Sequence, residues 1–590
     1  MVKSNWRAVC GGVVFILFLA LAIIVNPQGV FAFDEDAADD DARSAQIEKD
    51  IVSKSAKSPA IALKQTVDAQ IPKPTLPAGK TKIDRIDVIG STFLAQEAID
   101  EIKAGFENKE LNAKQMQKAA DLITRAYSRE GYITSYAYIV PDKLSSGILE
   151  IMVVEGKTGT IEFQGNKHFS TKLLEKKITL KEGQPFNFRQ LNKDIYRINK
   201  HPDRKVSVAC DPNVQTGRTN IVITVKDKST LHSTLQVDNY GSEYIFQRRY
   251  KTYLTHNNIT GHDDSVTIKV QRTEADAHQL ADIDYFLPLN NTWKLELYYM
   301  PYKIEDYYYS DNEQTDFEKH ARKFYFWFNQ SLIDEPNCEL VSQYGFKYMD
   351  IHWYQNGGDR DWKHATKKDR FRSLMWGIDF NRADKYGRWV ITNDLEKGIP
   401  GMWGASPRKS DETSVPGAGS AYTKNIITVA RRQKLFAGID FIGKGKWQLS
   451  SQALTGVNVF SIGGIMGVID NRGYPRAQAP GDSGRSFSGG FSFPPFGVPR
   501  HLNVPFSKTK LYDSVKLFTF YDWGEAILKN PTESQRETTT LSSAGFGVLF
   551  NVPDRNLATR LDVGWPTSED DPKDDTGHYP HVWWSVTQGF

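Results

Sequence analysis

From Ser229 to Phe590 the chain changes chemical character at every second residue, and this alternation restricts its fold more than any other feature. Leu235 and Val237 alternate with Thr234, Gln236 and Asp238, and Val266, Ile268 and Val270 with Thr267, Lys269 and Gln271. Trp293, Leu295, Leu297 and Tyr299 alternate with Lys294, Glu296 and Tyr298, and Phe324, Phe326 and Phe328 with Lys323, Tyr325 and Trp327. Leu374, Trp376, Ile378 and Phe380 do so with Ser373, Gly377 and Asp379. Successive strand side chains point to opposite faces, so each segment needs an apolar phase on one side and a polar one on the other. A soluble sandwich would meet that need with small aliphatic residues. Here 12% of the chain is aromatic, and Tyr298, Tyr299, Tyr302, Tyr307, Tyr308 and Tyr309 cluster near predicted strand ends, as in the girdles of a lipid-embedded barrel. At about 22 residues per strand and connection, residues 229–590 predict an all-β antiparallel transmembrane barrel of about sixteen strands, an even number as single-chain barrels require.

A mean hydropathy of −0.48 excludes a bundle of membrane helices. One long apolar run exists, Ala8 to Val25, preceded by Lys3 and Arg7 and followed by Val30-Phe31-Ala32. This order predicts a signal peptide over residues 1–32, cleaved after Ala32, with an uncleaved anchor as the alternative. Residues 33–80 carry an acidic run (Asp34 to Asp41) and then Pro72, Pro74 and Pro77, and predict a linker with a short helix from about Arg43 to Lys57. With 74 basic and 71 acidic residues, nothing points to a nucleic-acid partner. Cys10, Cys210 and Cys338 are too scattered for a disulfide scaffold or a metal site.

Between these regions lies an internal repeat. Ile86-Asp87-Val88-Ile89-Gly90 aligns with Ile161-Glu162-Phe163-Gln164-Gly165, and Asn112-Ala113-Lys114-Gln115 with Asn187-Phe188-Arg189-Gln190. Each Asn-x-x-Gln reads as a capping box at a helix start. Apolar residues follow at helical spacing, Met116, Ala119, Ile123 and Ala126 in one copy and Leu191, Ile195 and Ile198 in the other. Two strand-like runs close each copy, Thr134–Val140 with Ile148–Val154, and Lys205–Cys210 with Asn220–Val225. Domains 81–157 and 158–228 are thus predicted, both βααββ. Open sheet edges accept extended peptides, and Thr134, Tyr136 and Tyr138, with Val206 and Val208, mark the candidate capture edges.

The repeat resembles the POTRA domain of outer-membrane transport proteins. Behind it stand Phe460-Ser461-Ile462-Gly463-Gly464, Asn471-Arg472-Gly473-Tyr474 and Phe520-Tyr521-Asp522-Trp523-Gly524, with Asp238-Asn239-Tyr240-Gly241 at the barrel start. In this order they resemble the transporter component of two-partner secretion, the haemolysin secretion/activation family. The resemblance implies an outer-membrane barrel with periplasmic POTRA domains that captures an unfolded, β-rich exoprotein and passes it outward. It also implies a long loop folded into the lumen, with Arg472 at its tip and Gly473 and Tyr474 beside it. Asn471 departs from the family's usual apolar residue.

The strand supplies the partner. Phe520, Asp522 and Gly524 share one face, and Tyr521 and Trp523 the other, which suits lipid, so Asp522 is expected to point inward and pair with Arg472. Such a pair near 4 Å attracts by roughly 1–4 kcal/mol between water and protein-surface dielectrics. Gly473 is expected to allow a tight tip and Gly524 to leave room for it. At the C-terminus, Trp584, Val586 and Phe590 share a face and resemble the signal read by the outer-membrane assembly machinery, with Gln588 as a departure.

No enzymatic chemistry is expected. Gly481-Asp482-Ser483-Gly484 has the letters around a serine nucleophile, but no histidine stands in a supporting motif. Gly438 to Lys444 fits part of a phosphate loop, but Gly445 follows and no helix is predicted. No cofactor is expected either. The rival readings are an assembly or insertion factor of the same superfamily and, less favoured, a passive porin or adhesin.

Overall fold

The computed structural model describes residues 61–63, 74–77, 79–213, 216–241, 247–273, 278–310, 313–356, 366–466, 469–533, 535–568 and 580–590. The expected leader, acidic run and linker helix lie outside the described residues. Two compact bodies divide the rest, one ending at Thr230 and the other beginning at Leu231.

In the first body β1 (Ile61–Leu63) precedes two copies of one unit. The first comprises β2 (Arg85–Ile89), α1 (Gln96–Ala104), α2 (Ala113–Arg129), β3 (Tyr136–Val140) and β4 (Ile148–Val154). The second comprises β5 (Lys157–Gln164), α3 (Thr171–Glu175), α4 (Phe188–Asn199), β6 (Arg204–Asn213) and β7 (Arg218–Asp227). In each, the first strand runs parallel to the last and the second antiparallel to it. Asn112 and Gln115 form a reciprocal capping box at α2. Asn187 caps α4 likewise, but Gln190 turns to Asp194 (2.9 Å), so only half of that box forms. Met116, Ala119, Ile123, Leu191, Ile195 and Ile198 are buried as expected. Ala126 is half-buried, and Tyr127 takes its place in the core, because one helical turn beyond Ile123 falls between the two.

The repeat extends to details of the backbone. Gly90 (φ +86°) and Gly165 (φ +87°) both turn in the left-handed region, where a Cβ would come within 2.7 Å of the carbonyl oxygen of Val153 or Val225. A carboxylate at or just past the end of each last strand ties down the loop after each first strand. Glu155 accepts from the amides of Thr92 and Phe93, and Asp227 from those of Lys167, His168 and Phe169.

The second body is a closed antiparallel barrel of sixteen strands. They are β8 (Leu231–Asp238), β9 (Arg249–His256), β10 (Ser265–Thr273), β11 (His278–Pro288), β12 (Trp293–Ser310), β13 (Glu313–Glu335), β14 (Cys338–Asn356) and β15 (Lys367–Asp384). The remainder are β16 (Gly387–Gly398), β17 (Thr423–Lys434), β18 (Asp440–Ser450), β19 (Ser483–Phe493), β20 (Val515–Ile527), β21 (Thr538–Val552), β22 (Leu557–Pro566) and β23 (His581–Gly589). The expected alternation is realised. Leu235, Leu374, Trp376, Phe487, Phe491 and Tyr521 are exposed on the outer wall, while Asp238, Lys347, Glu396, Asp522 and Asp562 are buried inside. Several inner charges are paired. Glu396 lies 2.7 Å from Lys347 and 3.3 Å from Lys424, and Asp238 lies 2.6 Å from Arg249 and 3.2 Å from Lys251. Closure joins β8 to β23 through five residue pairs, Thr234–Asp238 against Ser585–Gly589.

Candidate functional site

Residues 451–466 and 469–482, between β18 and β19, fold back into the barrel. Phe460–Ile462 pairs with Ala479–Gly481, and Gly464–Met466 with Ile469–Asn471. Gly463 (φ +117°) and Gly464 (φ +70°) occupy conformations that a side chain would strain, and a Cβ there would strike Pro475, Gln478 or Arg476. Phe460, Ile462, Tyr474 and Ala479 then pack on Ala526 and Leu541 of the wall.

At the tip is Arg472, 4% exposed. Its Nε donates to Asp522 Oδ2 (2.8 Å) and its Nη2 to Asp522 Oδ1 (2.7 Å), a bidentate pair. Its backbone N–H donates to the same carboxylate (3.1 Å), and Ser488 on the adjacent strand donates a further bond (2.7 Å). Nη1 reaches Asp562 Oδ1 (3.0 Å), which Arg560 holds from its other side. The guanidinium lies over the Phe520 ring, 3.4 Å from its centre. Asp470, two residues earlier in the short strand Ile469–Asn471, stands 3.8 Å from Lys444. Three cations and three carboxylates are therefore paired in the lumen, which compensates charges that burial would otherwise make costly.

The expected pairing of Arg472 with Asp522 is present, and Phe520 faces inward beside it. The glycines act differently from expectation. Gly473 has no left-handed φ; a Cβ there would meet Ser543, Trp565 and Pro566 at 2.6–2.7 Å, so it permits close approach of the tip to the wall. Gly524 makes room for Ile462 of the inbound arm (2.8 Å), not for the tip. Tyr474 is fully buried and its hydroxyl meets Ser568. Asn471 donates to the Leu541 carbonyl (3.0 Å), so the departure from an apolar residue adds a tie to the wall.

Sequence reasoning missed Asp562, Ser488, Trp583 and Arg476. Trp583 Nε1 donates to the Arg472 carbonyl (2.9 Å), and Arg476 reaches the Tyr240 carbonyl at the end of β8. Strand parity offered a signal for Asp562, because Arg560 and Asp562 share the inward face of β22. No local signal marks Arg476.

The capture edges also differ from expectation. β3 is an edge strand of its sheet, with Tyr136 and Tyr138 on it. Thr134 is not; it sits in the turn before β3, packed on Gly156. β6 is covered. β1 runs parallel to it, Ile61–Leu63 against Val208–Cys210. Beside that pairing, Asn199 accepts from the Val206 N–H (2.7 Å) and donates to the Val206 carbonyl (3.2 Å). Val206 and Val208 are thus occupied by the chain itself, and part of the expected linker is a strand.

At the C-terminus, β23 completes the closure, with Phe590 exposed and its N–H donating to the Ser233 carbonyl (2.8 Å). Gln588 donates to the Arg555 carbonyl of the neighbouring turn (2.8 Å), so a polar residue is satisfied at the barrel rim.

A paired POTRA unit, a sixteen-stranded barrel and a loop locked in the lumen by an arginine define an outer-membrane transporter. Residues 217–550 match the family described as haemolysin secretion/activation protein ShlB/FhaC/HecB, 81–156 the ShlB-type POTRA domain, and 157–228 the POTRA family described as surface antigen variable number repeat. The chain belongs to the haemolysin secretion/activation family, the two-partner secretion transporters of the outer membrane. Among its relatives is the heme/hemopexin transporter protein HuxB of Haemophilus influenzae (strain 86-028NP), 22% identical over 76% of this chain and 77% of that one. The outer membrane transporter CdiB of Dickeya dadantii (strain 3937) is 20% identical over 81% of each. The solved structure of CdiB from Escherichia coli superposes with a TM-score of 0.72 at 18% identity, covering 95% of this chain and 99% of that one. CdiB from Acinetobacter baumannii gives a TM-score of 0.63 at 14% identity, over 95% and 100%.

Proposed function

We propose that this transporter engages its unfolded exoprotein by strand addition along β3, through Tyr136 to Val140, and releases the Arg472 tip from Asp522 and Asp562 to clear the lumen for it. The paired, re-entrant tip supports this reading best. A segment filling the lumen must move before a polypeptide passes, and a lock of charged hydrogen bonds can part without leaving the wall apolar. β6 becomes a second capture edge only when β1 leaves it, so the cargo and Ile61–Leu63 compete for the same backbone groups.

The drive is folding of the cargo outside, and the work done is transport, with no catalysed reaction. Trp584, Val586 and Phe590 deliver the barrel to the outer-membrane assembly machinery, and lipid surrounds its outer wall. Co-expression with a candidate β-rich exoprotein, scored by its appearance in the medium, tests the function. Export is expected with the native chain and lost with Arg472→Ala while the barrel stays inserted. Normal export by that variant removes the lock from the mechanism. Cargo that exports at full rate despite losing its folded stability outside would refute the proposed drive.

A further inference from the structure

The connections at the barrel end where β8 begins and β23 ends are short. Six of them, 257–264, 289–292, 336–337, 385–386, 435–439 and 553–556, have two to eight residues. The seventh, 494–514 between β19 and β20, has 21. Turns on this side of a single-chain barrel are ordinarily brief, so the extra length calls for a role.

Its surface is apolar at the extremities. Phe496 is 78% exposed and Phe506 92%, with Leu502 also exposed. Phe496 continues the outer wall. It packs against Phe493, ring centres 5.7 Å apart, and Phe493 has the same parity in β19 as the outward Phe487 and Phe491. The second extremity is held in place. The Val504 N–H donates to the Thr509 carbonyl (3.0 Å), and Asn503 pairs with Lys510 in an antiparallel backbone bridge across the base of the tip. Asp554 of the adjacent turn accepts from Ser507 Oγ (2.6 Å), the Lys508 N–H (2.8 Å) and the Thr509 hydroxyl. On this fixed tip Phe506 adopts φ +59°, in a region bulky side chains avoid. An aromatic held strained and bare in water would lose on both counts. Charge completes the pattern, with Arg500, Lys508 and Lys510 against Asp513 alone in 494–514.

We propose that the turn 494–514 is a membrane foot, seated in the periplasm-facing phospholipid leaflet, with Phe496 and Phe506 at the headgroup–acyl boundary and Arg500 and Lys508 on the phosphates. Aromatic tips backed by cations suit that boundary, where ring and charge each find their own layer. The foot steadies the barrel end from which cargo enters. It rests on the barrel lying in a bilayer and not on the secretion reading.

Depth measurement tests it. The full chain, with Cys10, Cys210 and Cys338 replaced, is reconstituted in phosphatidylethanolamine–phosphatidylglycerol bilayers. A nitroxide is attached after Phe506→Cys, after Phe491→Cys on the wall, and after Asn530→Cys in a connection at the opposite end. The label at 506 is expected to relax more with oxygen than with a water-soluble nickel chelate, as at 491 and the reverse of 530. The preference is expected to weaken when Lys508→Glu is added in these anionic bilayers and to return in neutral ones. A label at 506 that behaves like 530, or that is shielded from both reagents as by a protein partner, overturns the foot. A water-like signal at 491 as well would instead overturn the barrel's placement in lipid.

Discussion

The two POTRA domains build their cores mainly from Ile, Leu and Val and leave most charges outside; the barrel exposes many aromatics on its outer wall and buries many charges within. An apolar core is held by contacts that any residue of the right size can make. The barrel interior is held by groups whose partners must be present one by one, since a buried ion left alone is far costlier than a lost methyl group of contact. The two bodies should therefore fail differently.

The largest effect is expected for Arg472→Ala. It leaves Asp522 and Asp562 buried with fewer cations, a cost of about 3–5 kcal/mol for breaking a buried pair. Amide exchange in 470–476 should rise steeply while the POTRA domains stay protected. Ile195→Ala probes the other side. Loss of a fully buried aliphatic group should destabilise the second POTRA domain by about 2–5 kcal/mol, read as faster proteolysis of that domain alone with the lumen lock intact. Should Ile195→Ala loosen the lock, the contrast between the bodies fails.

Ser488→Ala should cost about 1 kcal/mol and speed exchange at the tip without abolishing export, because the bidentate pair survives. Glu155→Gln is smaller in reach and pH-dependent. Burial pushes the Glu155 carboxyl up, but bonds from the Thr92 hydroxyl and amide, the Tyr127 hydroxyl and the Phe93 amide outweigh it and hold the group below its ordinary value. A carboxyl depressed on folding stabilises above its unfolded pKa, and that contribution fades as pH falls through the folded value. At pH 7 the variant should exchange the Thr92 and Phe93 amides about tenfold faster, close to 1.4 kcal/mol. As the pH falls through the depressed value of the folded carboxyl, the native chain should approach it.

The legible part of the molecule was local. The strands Ile148–Val154 and Asn220–Val225, the buried faces of α2 and α4, and the inward parity of Asp522 all follow from spacings within a few residues. What escaped depends on residues distant in sequence. Asp562 is 90 positions from Arg472, Asn199 closes the Val206 edge from the end of a helix, and β1 reaches Val208 from within an expected linker. The two glycines show the same division. Their need for small size was visible, but the atoms they make room for were not, because Ser543, Trp565 and Ile462 arrive only through barrel register and the folded-back loop.

The order of side chains alone determined which face of the alternating barrel strands meets lipid and where α2 and α4 begin, because periodicity and capping act over a single turn or pleat. Only the closed barrel decided which carboxylates receive the arginine and which edges stay open, because those partners meet through strand register and loop return over many tens of residues.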